Sequence, residues 1–216
     1  MFRLILACFA AAPVVLLVHC GARRTSSELC DASKRGDLAT VQGLISQGVD
    51  VNARCSREWA ALHWATDKGH VDVARVLLEH GADPRLRTVR GVTALHRAAH
   101  KDRREIASLL LEYGADANAA DANGWQPLHL AVGRSFCDMA TLLLAHGADI
   151  NAQNGKGFTP LHRAVTRGKP EAVRFLLRHG ANQLLRTTDA KTALDLAEEG
   201  GNPELIAALG RVSTTE

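Results

Sequence analysis

Four short segments of this 216-residue chain carry the same signal: Ala60-Ala61-Leu62-His63, Thr93-Ala94-Leu95-His96, Gln126-Pro127-Leu128-His129 and Thr159-Pro160-Leu161-His162. Their histidines are evenly spaced, at a period of about 33 residues. A second marker keeps that period, as Gly81-Ala82-Asp83, Gly114-Ala115-Asp116, Gly147-Ala148-Asp149 and Gly180-Ala181-Asn182. Weaker copies flank these four, with Gly48-Val49-Asp50 before them and Thr192-Ala193-Leu194-Asp195 after them. A fixed period of this length means stacked modules, each too small to bury its own apolar face. The core then comes from stacking, and aromatics at only 4% of the chain make it an aliphatic core of Leu, Val and Ala.

Local chemistry gives each module a shape. Thr93, Thr159 and Thr192 stand where a helix N-cap belongs, and Pro127 and Pro160 sit at the first helical position, where no N–H is needed. The His three places after the cap can bond back to the cap residue, as Glu does in a capping box. Leu95, Ala98 and Ala99 give a first helix its apolar stripe, and Val73, Val76 and Leu77 do so for a second. Gly36, Gly69, Gly168 and Gly201 suit a left-handed turn between the two helices, and Asp102 and Ser135 stand at that place in the middle modules, where strain is expected. The end modules read as polar caps, through Lys34, Arg35, Asp37, Gln42 and Gln47 at one end and Asp195, Glu198, Glu199 and Glu204 at the other.

The two in-phase motifs closely resemble the ankyrin repeat family, with its Thr-Pro-Leu-His turn, two short helices and Gly-Ala-Asp hairpin in each period. The resemblance implies an all-α solenoid of about six repeats with short β-hairpin loops, near residues 24–56, 57–89, 90–122, 123–155, 156–188 and 189–210, followed by a tail at 211–216. It also implies a non-catalytic module that docks a protein partner on its concave side, through hairpin tips and the outward positions of the first helices.

Residues 1–22 differ from the rest. Arg3 is their only charged side chain, and an apolar run from Leu4 to Val18 is interrupted only by Pro13. This is the layout of a secretory signal, and fifteen residues is short of the roughly 20 that span a bilayer. Leu17-Val18-His19-Cys20 resembles a bacterial lipoprotein box, with His19 in place of the small residue before the lipidated Cys, so Cys20 is a candidate lipidation site. A retained anchor and a mis-assigned start are the alternatives, and Arg23 and Arg24 oppose export under the positive-inside tendency. The protein is expected to be exported (periplasmic, extracellular or lipid-anchored) or held by an uncleaved anchor, with membrane contact through this segment alone.

Of the five cysteines, Cys8 lies in the leader and Cys137 begins a second helix as a small core residue. In an exported chain Cys30 and Cys55 are a candidate disulfide, with two buried thiols as the alternative. His63, His96, His129 and His162 invite a metal hypothesis. One per repeat sets them a helix-packing distance of about 8–10 Å apart, whereas two ligands of one zinc lie within about 4 Å. A structural role in the cap is the better reading, and no metal or other cofactor is expected. His80, His146 and His179 end second helices, where partial positive charge is favourable. No phosphate loop, nucleophile elbow or spaced carboxylate pair is present, so no enzymatic activity and no small-molecule substrate are expected.

The surface residues carry the functional expectation. The hairpin position just past the turn glycine site holds Trp59, Val92, Trp125 and Phe158, large apolar side chains expected to be exposed contact anchors. Position one of the repeats carries Arg57, Arg90, Asn123, Lys156 and Asp189. The penultimate position of the first helix gives a basic column of Arg35, Lys68, Lys101, Arg134 and Arg167, with Trp64, Arg97 and Arg163 between the rows. Helix-dipole complementarity accounts for basic residues at helix ends, though not for their meeting a row of aromatic tips. The expected partner is a protein with an acidic, partly apolar segment, and an inhibitor that plugs a specific enzyme is the alternative. A net charge of only +3, with Asp67, Asp72 and Asp189 interrupting the field, argues against nucleic acid.

Overall fold

The computed structural model describes residues 25–55 and 58–210. The leader with Cys8 and Cys20, Arg57 and the tail lie outside the described residues. Helices follow one another in pairs: α1 through residues 25–35 and α2 Leu38–Ser46, α3 Ala61–Lys68 and α4 Val71–Glu79, α5 Ala94–Lys101 and α6 Arg104–Glu112, α7 Pro127–Val132 and α8 Cys137–Ala145, α9 Pro160–Thr166 and α10 Pro170–Arg178, α11 Ala193–Glu199 and α12 Pro203–Leu209. The first helices α3, α5, α7, α9 and α11 stack in sequence, and the second helices stack alongside them. No helix among the described residues is long and apolar enough to cross a membrane.

The expected caps form. Thr93, Thr159 and Thr192 are N-caps whose side chains accept from the backbone N–H three residues on, and Pro127 and Pro160 open their helices. A cap of this kind contributes about 1 kcal/mol. Asp102 and Ser135 adopt the left-handed conformation expected of them, with φ of 54° and 62°. Between the layers the core is aliphatic. Leu62, Leu95, Leu128 and Leu161 of the first helices and Leu77, Leu110, Leu143 and Leu176 of the second are all buried, with small alanines such as Ala65, Ala98 and Ala131 between them. Val76 is only half-buried, and Leu78 takes the inward place beside Leu77.

The loops are hairpins in path but hold no β-strand among the described residues. Each closes on a bond such as Asp121 N–H to the Trp125 carbonyl (2.8 Å) or Asn154 N–H to the Phe158 carbonyl (3.0 Å), too little for a ladder. Successive hairpins bond instead to each other, Ala122 N–H to the Arg90 carbonyl (2.9 Å) and Gly155 N–H to the Asn123 carbonyl (3.0 Å). This brings backbones very close. A Cβ on Gly124, whose φ is +79°, would lie 2.6 Å from the Gly155 nitrogen. Ala190 holds the same conformation (φ 58°) in the last described hairpin, where no further hairpin follows among the described residues. Gly124→Ala is therefore expected to lose about 2 kcal/mol or more, from left-handed strain and the clash together, read as a shift in the urea midpoint.

Candidate partner-binding face

The motif histidines position this face. In each, Nδ1 accepts from the backbone N–H of the cap residue, at 3.3 Å from Ala60, 3.2 Å from Thr93, 3.3 Å from Gln126 and 3.2 Å from Thr159. That fixes the proton on Nε2, which donates to a hairpin carbonyl of the next repeat: Val92 for His63, Trp125 for His96, Phe158 for His129 and Lys191 for His162, at 3.0–3.3 Å. The ring thus ties its own helix to the following hairpin. All four are buried, and burial holds the pKa of His63 and His129 down to about 4 against the partial opposition of those carbonyls, with His96 and His162 lowered in the same way. No group of three or more His, Cys, Asp or Glu arranged to hold a metal occurs among the described residues.

A second tie was not read from the sequence. Asn52 donates to the Gly81 carbonyl (3.0 Å) and accepts from Asp83 N–H (2.8 Å), Asn118 does the same with Gly147 and Asp149, and Arg85 reaches the Gly114 carbonyl at 2.7 Å from the corresponding position. His80, His146 and His179 cap their helices by donating from Nδ1 to the carbonyl four residues back.

On this frame the aromatic residues lie along the hairpin side of the first helices, half-buried rather than exposed as expected. Trp59 packs on Trp64 (centroids 4.5 Å) and over His63, and Trp125 packs edge-on to His129 (5.3 Å) and near Phe158 (6.4 Å). Cations cover the rings. Lys34 Nζ lies 5.0 Å from Trp64, the Arg97 guanidinium 5.1 Å from Trp59 and that of Arg163 4.4 Å from Trp125. A tip ring that packs on its own repeat's histidine and under the next repeat's arginine loses much of its free surface. The exposed large apolar side chains among the described residues are instead Val89, Tyr113 and Leu184.

The residues of the basic column sit at helix ends, with two differences from the expected positions. Lys68 and Lys101 are the last helical residues rather than penultimate, while Arg134 lies beyond α7 and Arg167 caps α9, because those helices end sooner. All five members are exposed. Arg97 is not free for a partner: its Nε donates to Asp67 Oδ1 at 3.1 Å, and its Nη2 to the same oxygen, so it is pinned between that carboxylate and Trp59. Arg90, Val92 and Arg97 surround a depression of about 560 Å³ beside Trp59, and Lys156 and Asn123 flank another of about 510 Å³ beside Trp125. The residues therefore gather into two clusters, one around Trp59 and Trp64, the other around Trp125 and Phe158.

Cys30 in α1 and Cys55 in the following hairpin are joined as a disulfide, their Cα atoms 6.5 Å apart. Cys137 is half-buried at the start of α8, and burial raises its thiol pKa.

Helix pairs stacked in one register and stapled by histidine define a helical-repeat interaction module. Models of ankyrin repeats (3 copies) match residues 4–88, 29–121 and 81–154, and ankyrin repeats (many copies) match 143–197. The chain belongs to the ankyrin repeat family. It is similar to the crystal structure of the human ASB11 ankyrin repeat domain, at 33% identity and a TM-score of 0.76 over 85% of this chain and 82% of that one. No curated protein sequence matches it. Solved chains of similar structure number 628, so the fold alone selects no partner. Ankyrin repeat domains are generally non-catalytic protein-interaction modules.

Proposed function

We propose that this protein is a non-catalytic, exported or membrane-attached module that holds an acidic, partly apolar segment of a protein partner against the hairpins and first helices. The observation that carries the reading is the column of Arg35, Lys68, Lys101, Arg134 and Arg167: all are exposed, and four of them, all but Lys68, have no ion-pair partner among the described residues. Beside it lie the half-exposed rings of Trp59, Trp64, Trp125 and Phe158, which supply an apolar contact of low conformational cost. Unpaired cations in a row steer an acidic segment toward the face and make capture salt-sensitive. The Cys30–Cys55 disulfide supports an oxidising compartment, and so the exported setting.

Selection from a displayed random peptide library is expected to enrich segments that combine Asp or Glu with apolar residues, and their capture weakens as salt is raised. Reversing Lys101, Arg134 and Arg167 together to Glu is expected to weaken the selected peptides at least about tenfold. Peptides without acidic residues, or capture untouched by the triple reversal, would assign the binding face elsewhere.

A further inference from the structure

Trp59, Asp67 and Arg97 have their counterparts two repeats later in Trp125, Gly133 and Arg163, at the same places in the pattern. The two arginines do the same thing with their rings, lying 5.1 Å from Trp59 and 4.4 Å from Trp125. They differ in what faces them. Arg97 is held by the Asp67 carboxylate, whereas Arg163 faces Gly133, and the built Cβ position on that glycine lies 3.2 Å from Arg163 Nε. The acid that completes the first site is absent from the second.

Beside that pair lies a depression of about 520 Å³, lined by Gly133, Arg134, Arg163, Arg167, Lys169 and His100 with apolar flanks from Leu130 and Phe136. No carboxylate lines it. Arg163 Nε is buried without a hydrogen-bond partner, and burial together with Arg167 lowers the pKa of that guanidinium. Arg134 Nη2 lies 3.0 Å from His100 Nε2, so His100 is an acceptor there and offers no countercharge. Four cations converge on a site whose counterpart two repeats earlier the chain neutralises with its own acid. An uncompensated, partly desolvated cluster of this kind gains most from an incoming anion, through charge-assisted and fork-shaped hydrogen bonds.

We propose that the depression is a carboxylate subsite, in which an Asp or Glu side chain of the bound segment takes the place that Asp67 takes against Arg97. This rests on the docking reading above and deepens it, by naming where the segment's acid sits and what it meets. Arg163, lying over the Trp125 ring, presents its guanidinium to the depression, Arg134 and Arg167 line it, and Leu130 and Phe136 accept an apolar neighbour of the acid.

The test needs no partner. Glutarate titrated into the disulfide-bonded protein is expected to shift the Trp125 indole N–H resonance saturably, in the millimolar range typical of a small carboxylate on arginines. Gly133→Asp supplies the missing acid internally. Gly133 has φ −62° and ψ −9°, right-handed values that suit Asp, and the flexible Arg163 side chain shifts by a few tenths of an ångström to admit the new Cβ. The variant is expected to raise the melting midpoint and weaken glutarate at least about tenfold. Arg163→Gln, which introduces no crowding, is expected to abolish the shift while leaving the helical circular dichroism unchanged. The subsite is overturned if glutarate gives no saturable shift in the wild type, or shifts either variant as it does the wild type. Inorganic phosphate binding tenfold more tightly than glutarate would overturn the carboxylate assignment. Acid-free peptides from the library selection, with glutarate binding as stated, would sink the docking reading and leave the subsite standing.

Discussion

Taking the folded protein from pH 7 to pH 4 is expected to remove several kcal/mol of its stability, through histidine rather than through carboxylates. The ordinary histidine pKa is near 6.5, and the unfolded chain takes up protons as the pH falls below that value. His63 and His129 in the folded chain stay neutral down to about 4, because burial opposes the imidazolium form. Between those two values the unfolded state binds more protons than the folded one. The stabilisation is therefore complete above about pH 6.5 and is lost as the pH falls toward 4, by about 3 kcal/mol for each of these two residues. His96 and His162 are shifted in the same direction and add to the slope. Protonation also removes the acceptor at Nδ1, so a buried cap N–H loses its partner as the charge arrives. Asp37 and Asp195, whose pKa values are lowered from 3.8 by bonds to Thr40 and Thr192, lose their contribution only below that range. Urea unfolding at pH 7, 5.5 and 4.5 checks the prediction. His129→Gln should be less stable at pH 7 and fall less steeply on acidification. A stability flat between pH 7 and 4.5 would mean that the rings are not held neutral.

The same histidines mark how far sequence carries this fold. Period, caps and left-handed turns are local properties, set by residue type at fixed spacing, and Thr93, Pro160 and Asp102 were legible for that reason. The bond from His Nε2 to a carbonyl of the next hairpin was not, because any residue can supply that carbonyl and the pattern names only the donor. The Asn52 and Asn118 ties escaped for a similar cause, since their partners are backbone groups of the next turn. The binding face was read less well than the fold. Trp59 and Trp125 fall at hairpin tips by position, yet their exposure depends on Arg97 and Arg163 folding over them from the repeat that follows. Arg97 and Arg163 themselves occupy one position of the repeat, and what separates a paired cation from an open one is the residue one repeat earlier, Asp67 or Gly133.

Reduction is expected to act on the first described helix pair alone. The Cys30–Cys55 bond closes a ring of about 26 residues, and the loop-entropy relation assigns such a ring about 3.5 kcal/mol. The ring contains α2 and ties α1 to the hairpin that precedes α3. In a stacked-repeat chain each module gains stability from its neighbours, and among the described residues the neighbour of this first pair is the second pair, which α2 meets through α4. Losing the bond therefore frays the first pair before anything else. Cys30 is buried beneath this contact, and its Sγ lies 3.9 Å from the Trp59 carbonyl, so fraying there also loosens the base of the first aromatic cluster. Hydrogen exchange with and without a phosphine reductant is the measurement. Protection in residues 25–55 is expected to fall by between two and three orders of magnitude, the size that a loss of about 3.5 kcal/mol requires, while α5 to α12 exchange as before. The double variant Cys30→Ser, Cys55→Ser should behave like the reduced protein without any reductant. Protection unchanged in residues 25–55 would show that packing against α3 and α4 holds the first pair by itself, whereas a uniform loss along the chain would contradict nearest-neighbour coupling between the repeats.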